Sequence, residues 1–351
     1  MSTPLPAWLL PLTIPASWLY GAAIRVRNAK YDRPGSIGMV DRPVISIGNI
    51  TAGGTGKTPM VTWIAGQLLD HGVCPAVALR GYGAKAGDIS DEHAEYLHHL
   101  PDVPVIARPD RLNAIREFLD ASQGGLVDCI LLDDGFQHRQ LHRDLDLVLI
   151  DAQRDVFSDR LLPAGHLREP LRNLKRADAV IMTRADETDE RLAQRVANCH
   201  GHPPIAWSRH QWAGLDVYGE RIMPTREPVD WFRGKRVLTM LGVGHPQSIH
   251  RQIEAAGATI LADLPVSDHE SYDRSRLAVA RGLAEPADAM VVTNKDWVKI
   301  AEMINLSDWP TPIVVPHLEI NVFNGAKQFM ELVLSAVNQK VGNHQSATMA
   351  G

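Results

Sequence analysis

Apolar residues along the chain fall into short continuous runs, separated by segments with helical spacing. "RPVISIGN", ending at Asn49, reads as a strand. "TPMVTWIAGQLLDHG", from Thr58 to Gly72, reads as a helix with Val61, Ile64, Ala65 and Leu68 on one face. Pro59 is tolerated in its first turn, and Gly72 can end it. "CPAVALRG", "VPVIARP", "VDCILLDDG", "LDLVLIDA" and "ADAVIMTRA" continue the series of strands. Unbroken apolar runs are what strands buried on both faces of a parallel sheet require. The pattern therefore predicts an α/β fold of βαβ units, with helices flanking a parallel sheet.

The alternation loosens near Ala206, and the polar, turn-rich stretch to residue 230 reads as a link with room for a hairpin. It resumes with "KRVLTMLGVG", "SIHRQIEAAG", "ATILADLP", "ADAMVVTNKD" and "TPIVVPHL". The expected layout is an N-terminal segment over 1–40, a first α/β domain over 41–205, the link over 206–230, a second, smaller α/β domain over 231–335 and a polar, flexible tail over 336–351. The lone GxG in "LGVGHPQS" reads as a tight strand-to-helix turn rather than a dinucleotide fingerprint.

The N-terminus departs from this picture. "LPAWLLPLTIPASWLYGAAI" is apolar, and Arg25, Arg27, Lys30 and Arg33 follow it, against one acid, Asp32. With no basic residues before the apolar part and no small-residue cleavage site, a secretory signal is not expected. Pro6, Pro11 and Pro15 are expected to break a single spanning helix. The segment reads as an apolar helical element at a membrane interface, Trp8 and Trp18 in the acyl boundary and the bases at anionic headgroups. Packing on the protein's own core is the other reading. The whole chain carries a net charge of −5, which argues against a general nucleic-acid binder. Its three widely spaced cysteines suggest neither a disulfide framework nor a zinc site.

The candidate chemistry starts at "GNITAGGTGKTP". Gly53, Gly54, Thr55, Gly56, Lys57 and Thr58 follow a strand and open a helix, as a phosphate-binding loop does. The glycines let backbone N–H groups face phosphate oxygens, and the helix N-terminus adds positive charge. Lys57 is placed to reach the β- and γ-phosphates, and Thr58 to bind Mg²⁺. Thr51 occupies the slot where the usual pattern begins with Gly. A second element, "DCILLDDGFQH", ends a strand in Asp133 and Asp134, where carboxylates hold Mg²⁺ in this class.

"GNITAGGTGKTP", "LRGYG", "LLDDGFQH", "RLLPAGHLREP" and "TNKDWVK" together resemble the tetraacyldisaccharide 4′-kinase family of lipid A biosynthesis, over nearly the whole chain. The resemblance implies ATP and Mg²⁺ as cofactors, and phosphorylation of the 4′-hydroxyl of a lipid A disaccharide 1-phosphate. It implies a peripheral or monotopic enzyme at the cytoplasmic face of the bacterial inner membrane, with no obligate protein partner and no nucleic acid. It makes Asp91 of "SDEH" the catalytic base, paired with His269 of "VSDHESY" from the second domain, with Glu92 near the magnesium. It nominates Arg80, Tyr82, Arg111, Gln137, His138 and Arg168 for the acceptor. The stretch between "RGYG" and "SDEH" is shorter than the family's, Ser90 and His93 replace its flanking residues, and Asn294 stands where Glu is expected. A first helical turn capped by Ser90 is the other reading of "SDEH", and the two are compatible, since a catalytic acid can sit in a first turn. Two other readings remain: a membrane-associated P-loop ATPase switch partnering a protein, and a soluble small-molecule P-loop kinase. Ala52 stands where such switches carry Lys.

Overall fold

A computed structural model describes residues 10–81, 91–219, 223–243, 246–266 and 272–348, apart from the side chains of 91, 92, 94, 122, 123 and 341–348. The chain divides into two compact units, Met1–Arg209 with Ile320–Gly351, and His210–Glu319.

The first unit begins with helix α1 (Leu10–Tyr31). Strand β1 (Val44–Asn49), helix α2 (Lys57–Asp70), β2 (Pro75–Leu79), α3 (Asp91–His99), β3 (Val105–Ala107), α4 (Arg111–Asp120) and β4 (Cys129–Asp133) follow. Then come β5 (Leu145–Asp151), β6 (Ala179–Thr183), α5 (Glu190–His200) and the first residues of β7 (Ala206–Tyr218). The strands are ordered β7-β6-β5-β1-β4-β2-β3. Every neighbouring pair is parallel. β1, β2, β4, β5 and β6 are buried along their whole length, which is why their sequences are unbroken apolar runs. Helix α2 turns Met60, Val61, Ile64, Ala65 and Leu68 onto the sheet.

The second unit carries the rest of β7, β8 (Thr225–Glu227), β9 (Arg236–Thr239), α6 (Pro246–Ala255), β10 (Thr259–Asp263), α7 (Arg274–Ala284), β11 (Ala289–Val291), α8 (Asn294–Ile300) and most of β12 (Ile313–Asn324). Here β10-β9-β11-β12 is parallel, and β8 pairs antiparallel with β7. The end of β12 and helix α9 (Ala326–Thr348) return to the first unit, where Ile320, Val322, Phe329 and Val333 join its core.

One expectation is corrected. Helix α1 runs unbroken through Pro11 and Pro15, whereas Pro6 and Trp8 lie outside the described residues. Pro11 lies in the first turn, whose N–H groups have no helical partner anyway. Pro15 removes a single bond, to the Pro11 carbonyl. No described helix is long and apolar enough to cross a membrane. The faces of α1 are also reversed from those of an ordinary surface helix. Thr13, Ser17, Ile24 and Tyr31 turn inward, whereas Leu12, Trp18, Leu19 and Val26 are 72–75% exposed. The inward face is polar because its seat is polar: Tyr20 Oη donates to the Arg168 carbonyl (3.0 Å), Arg27 to the Gln137 carbonyl (2.9 Å) and Asn28 to Glu169 (3.0 Å).

Candidate active site

The loop between β1 and α2 is held from several sides. Gly53 and Gly56 have φ of 101° and 81°, the left-handed region that glycine enters without a steric cost. Asn49 Nδ2 donates to Thr55 Oγ1 (2.9 Å) and to the Gly53 carbonyl (3.3 Å), and Thr183 Oγ1 donates to the Thr55 carbonyl (2.9 Å). Thr51 needs no glycine. It forms an antiparallel bridge with Leu167, flanked by Ala52 N–H to the His166 carbonyl (2.7 Å) and Arg168 N–H to the Ile50 carbonyl (2.8 Å). That pairing delivers the "GHLRE" segment to the loop, and with it the Arg168 side chain.

The end of β4 completes the site. Ile47 of β1 lies in register with Asp133 of β4. A Cβ on Gly48 would sit 2.5 Å from Phe136 Cβ and 2.6 Å from its backbone N, so only glycine lets the "DDGF" turn approach β1 this closely. Asp134, with φ of 49°, receives Arg168 Nη1 at 2.8 and 2.9 Å and lies 3.6 Å from Lys57 Nζ. Burial alone would raise its carboxyl pKa, but the charges of Lys57, Arg168 and Arg80 hold it below the usual carboxylate range. Asp133 accepts from the Tyr96 hydroxyl (2.9 Å) and from Asp134 N–H (2.8 Å). The same Tyr96 hydroxyl engages Thr58, and burial followed by the Asp133 charge pushes its pKa well above the ordinary value. Thr58 and Asp133 are therefore drawn to one point.

Behind Asp134, Gln137 Nε2 donates to the Asn49 carbonyl (2.8 Å), and Gln137 Oε1 accepts from Arg168 (3.4 Å). Arg111 is fully buried and donates to the Asp133 carbonyl (2.7 Å). A cavity of about 170 Å³ is lined by Arg27, Arg80, Arg111, His138 and Arg139. Burial, then Arg111 and Arg80, depress the His138 pKa to about 3, so it stays neutral beside these cations.

The structure thus brings together Lys57, Thr58, Arg80, Arg111, Asp133, Asp134, Gln137, His138 and Arg168. Asp91 and Glu92 open α3, five and four residues before Tyr96, and their side chains lie outside the description. Tyr82 and His269 lie outside the described residues. Asn49, Tyr96 and Arg27 are additions. Asn49 stood inside the quoted loop motif, and nothing in the sequence ties Tyr96 to Asp133 or Arg27 to Gln137. Within the second unit, buried Asp296 accepts from Tyr272 Oη (2.7 Å), Gly242 N–H (3.0 Å) and Thr293 Oγ1 (2.6 Å). This gives the Asp of "TNKDWVK" a structural place. Among the described residues, no group of three or more His, Cys, Asp or Glu is set to hold a metal ion.

A phosphate loop between a buried parallel strand and a helix, with acidic residues ending the neighbouring strand, defines the P-loop NTPase class. Comparison with known proteins gives the particular kind. The chain belongs to the tetraacyldisaccharide-1-P 4′-kinase family, whose model matches residues 8–338. It is 35% identical over 350 residues to a tetraacyldisaccharide 4′-kinase of Syntrophus aciditrophicus, covering 91% of this chain and 90% of that one. It is 34% identical over 313 residues to that of Geobacter sulfurreducens, covering 83% and 84%. Among solved structures, LpxK from Aquifex aeolicus in complex with ATP aligns with a TM-score of 0.65 and 25% identity, over 92% of this chain and 98% of that one. The activity is that of an ATP-dependent kinase with an alcohol acceptor, acting on a lipid A precursor.

Proposed function

We propose that the cluster around Asp134 works as follows. ATP lies on the loop from Gly53 to Thr58, and Lys57 neutralises charge as the γ-phosphoryl group departs. Mg²⁺ suits the oxygen donors of Thr58, Asp133 and Asp134, since it binds through one or two carboxylates plus substrate phosphates, and Glu92 is assigned to its waters. Held there, the ion would supply positive charge that offsets the negative charge developing on the transferred phosphoryl group. Asp91 takes the proton from the 4′-hydroxyl, and His269 is its partner. Arg80, Tyr82, Arg111, Gln137, His138 and Arg168 serve the acceptor, whose phosphate and sugar hydroxyls call for cationic forks and hydrogen-bonding groups. Most of the rate enhancement then comes from positioning and electrostatics.

What supports this reading is the placement of Lys57, Arg168 and Arg80 around one carboxylate, next to the helix that Asp91 opens. The test is transfer of labelled γ-phosphate from ATP to a lipid A disaccharide 1-phosphate in mixed micelles. Asp91→Asn and His269→Ala should lose transfer while still binding ATP. Full transfer by Asp91→Asn would remove it as the base.

The outward apolar face of α1 supports a second part of the reading. Leu12, Trp18, Leu19 and Val26 rest in the acyl boundary of the membrane that holds the acceptor, at the cytoplasmic face of the inner membrane. Leu19→Gln should reduce flotation with vesicles and leave transfer to detergent-solubilised acceptor unchanged.

A further inference from the structure

A second cavity, of about 430 Å³, lies beside α1 in the first unit. Arg139, Arg172 and Arg176 line it together with Arg25, Asn28 and Asp32 of α1. At about 100° per residue, Gly21, Arg25, Asn28 and Asp32 form one stripe of the helix. That stripe lies between the inward face of Thr13, Ser17 and Tyr31 and the outward face of Leu12, Leu19 and Val26. The cavity therefore borders the apolar surface.

Its charge is unbalanced in a specific way. Arg139 is fixed by Asp32 (2.8 Å) and by the Asn28 carbonyl (2.9 Å). Arg176 is fixed by Glu169 (2.8 Å) and by the Phe136 ring (4.5 Å). Glu169 also accepts from Asn28 (3.0 Å) and Asn173 (2.6 Å), so its charge is already fully engaged. Even so, Arg139 Nε and Arg176 Nε are buried donors with no hydrogen-bond partner. Arg25 and Arg172 are exposed and make no ion pair among the described residues. Four guanidinium groups thus face one lining carboxylate, two of them rigid and two available. Planar forks of this kind suit a tetrahedral oxyanion with several acceptor oxygens.

We propose that this cavity binds the phosphate of an anionic phospholipid headgroup, beside the candidate acceptor site. The proposal rests on the membrane contact of α1 proposed above. Position favours a lipid over a free ion: acyl chains leaving a phosphate held here would run along Trp18 and Leu19. An apolar helix face with one charged site supplies the two signals that stable surface anchoring needs.

The test uses the full-length protein and vesicles of phosphatidylcholine, with or without phosphatidylglycerol. Wild type should prefer the anionic vesicles. Each basic side chain near such a surface contributes a factor of about five, so Arg25→Gln/Arg172→Gln should bind them about thirtyfold more weakly. Its binding to phosphatidylcholine and its KM for acceptor in neutral detergent should not change. A double variant that keeps the anionic preference overturns the proposal, and so does a wild type that binds both vesicles alike, although the latter leaves the membrane contact standing. Binding to neither vesicle overturns both. Loss of the preference in millimolar inorganic phosphate at constant ionic strength would reassign the site to a soluble ion. A raised acceptor KM in the double variant would reassign it to the acceptor's own phosphate.

Discussion

Replacing Tyr96 by Phe removes one oxygen from the site and leaves the ring that fills the core beside α3. That oxygen joins three elements: it donates to Asp133 at the end of β4, engages Thr58 at the start of α2, and belongs to the helix that Asp91 opens. Burial and the Asp133 charge keep the phenol protonated throughout the working pH range, so it acts as a donor at every relevant pH. A hydrogen bond to a charged group contributes about 1.5–3 kcal/mol net. Asp133 keeps its bond from Asp134 N–H, so the loss should fall near the middle, about 2 kcal/mol. That is roughly thirtyfold in the unfolding equilibrium, and about 4–8 °C in Tm for a unit of this size. Urea midpoints and calorimetry measure it. The second readout is kinetic. The phosphate loop keeps its ties through Asn49 and Thr183, so KM for ATP should change little, whereas kcat should fall as α3 loses its tether. A variant within about 0.5 kcal/mol of wild type, with kcat unchanged, would refute the claim that this hydroxyl joins helix to site.

Three further outcomes are expected. Gly48→Ala forces a methyl group against Phe136 and should cost about 1–3 kcal/mol, read as a lower urea midpoint with the far-ultraviolet spectrum preserved. His138 is held neutral to about pH 3, so below pH 6.5 the unfolded chain takes up a proton that the folded protein refuses, and stability falls as the pH falls. His138→Gln should therefore lose about 2 kcal/mol less than wild type between pH 7 and pH 5 in paired urea titrations. Asp134→Asn should lower transfer on the order of a hundredfold. It should also bind ATP more tightly than wild type in EDTA, because Lys57 loses its competing anion.

The sheet of the first unit was legible because its strands are buried on both faces, so burial writes itself into the sequence as unbroken apolar runs. β12 was harder. Only "TPIVVPHL" read as strand, whereas β12 runs on to Asn324, and its Ile320 and Val322 enter the first unit's core. The phosphate loop and the "DDG" turn were legible as local motifs. The ties that hold them were not: Tyr96 and Asp133 are 37 residues apart, and Thr183 and Thr55 are 128. Nor does the sequence show how each arginine is held. Arg111 and Arg168 look alike in it, but Arg111 is fully buried on the Asp133 carbonyl and Arg168 is half-buried on Asp134. Average hydropathy also hid the reversal in α1. Thr13, Ser17 and Asn28 dilute an apolar stretch on paper, whereas in space they are segregated onto the face that meets Gln137, Arg168 and Glu169.

The charge around Asp134 accounts for much of this local architecture. Lys57, Arg80 and Arg168 converge within one half-buried site, and without an anion their repulsion would act at reduced dielectric. Asp134 supplies the anion from a left-handed backbone that Asp tolerates and a β-branched residue would not. The following Gly135 is fixed by the approach of Ser46, whose Oγ would collide with any Cβ there. The turn therefore aims one carboxylate at cations that a nucleotide would otherwise have to assemble. On the reading proposed above, ATP on the loop would compete with Asp134 for Lys57. Asp134 would then be free to join Thr58 and Asp133 in holding Mg²⁺. On that reading Asp134 would weaken binding of the free nucleotide by occupying Lys57, and would strengthen binding of the Mg²⁺ complex. Nucleotide affinity of wild type and Asp134→Asn, compared with and without Mg²⁺, should accordingly change order, and no account based on fold stability alone would produce that reversal.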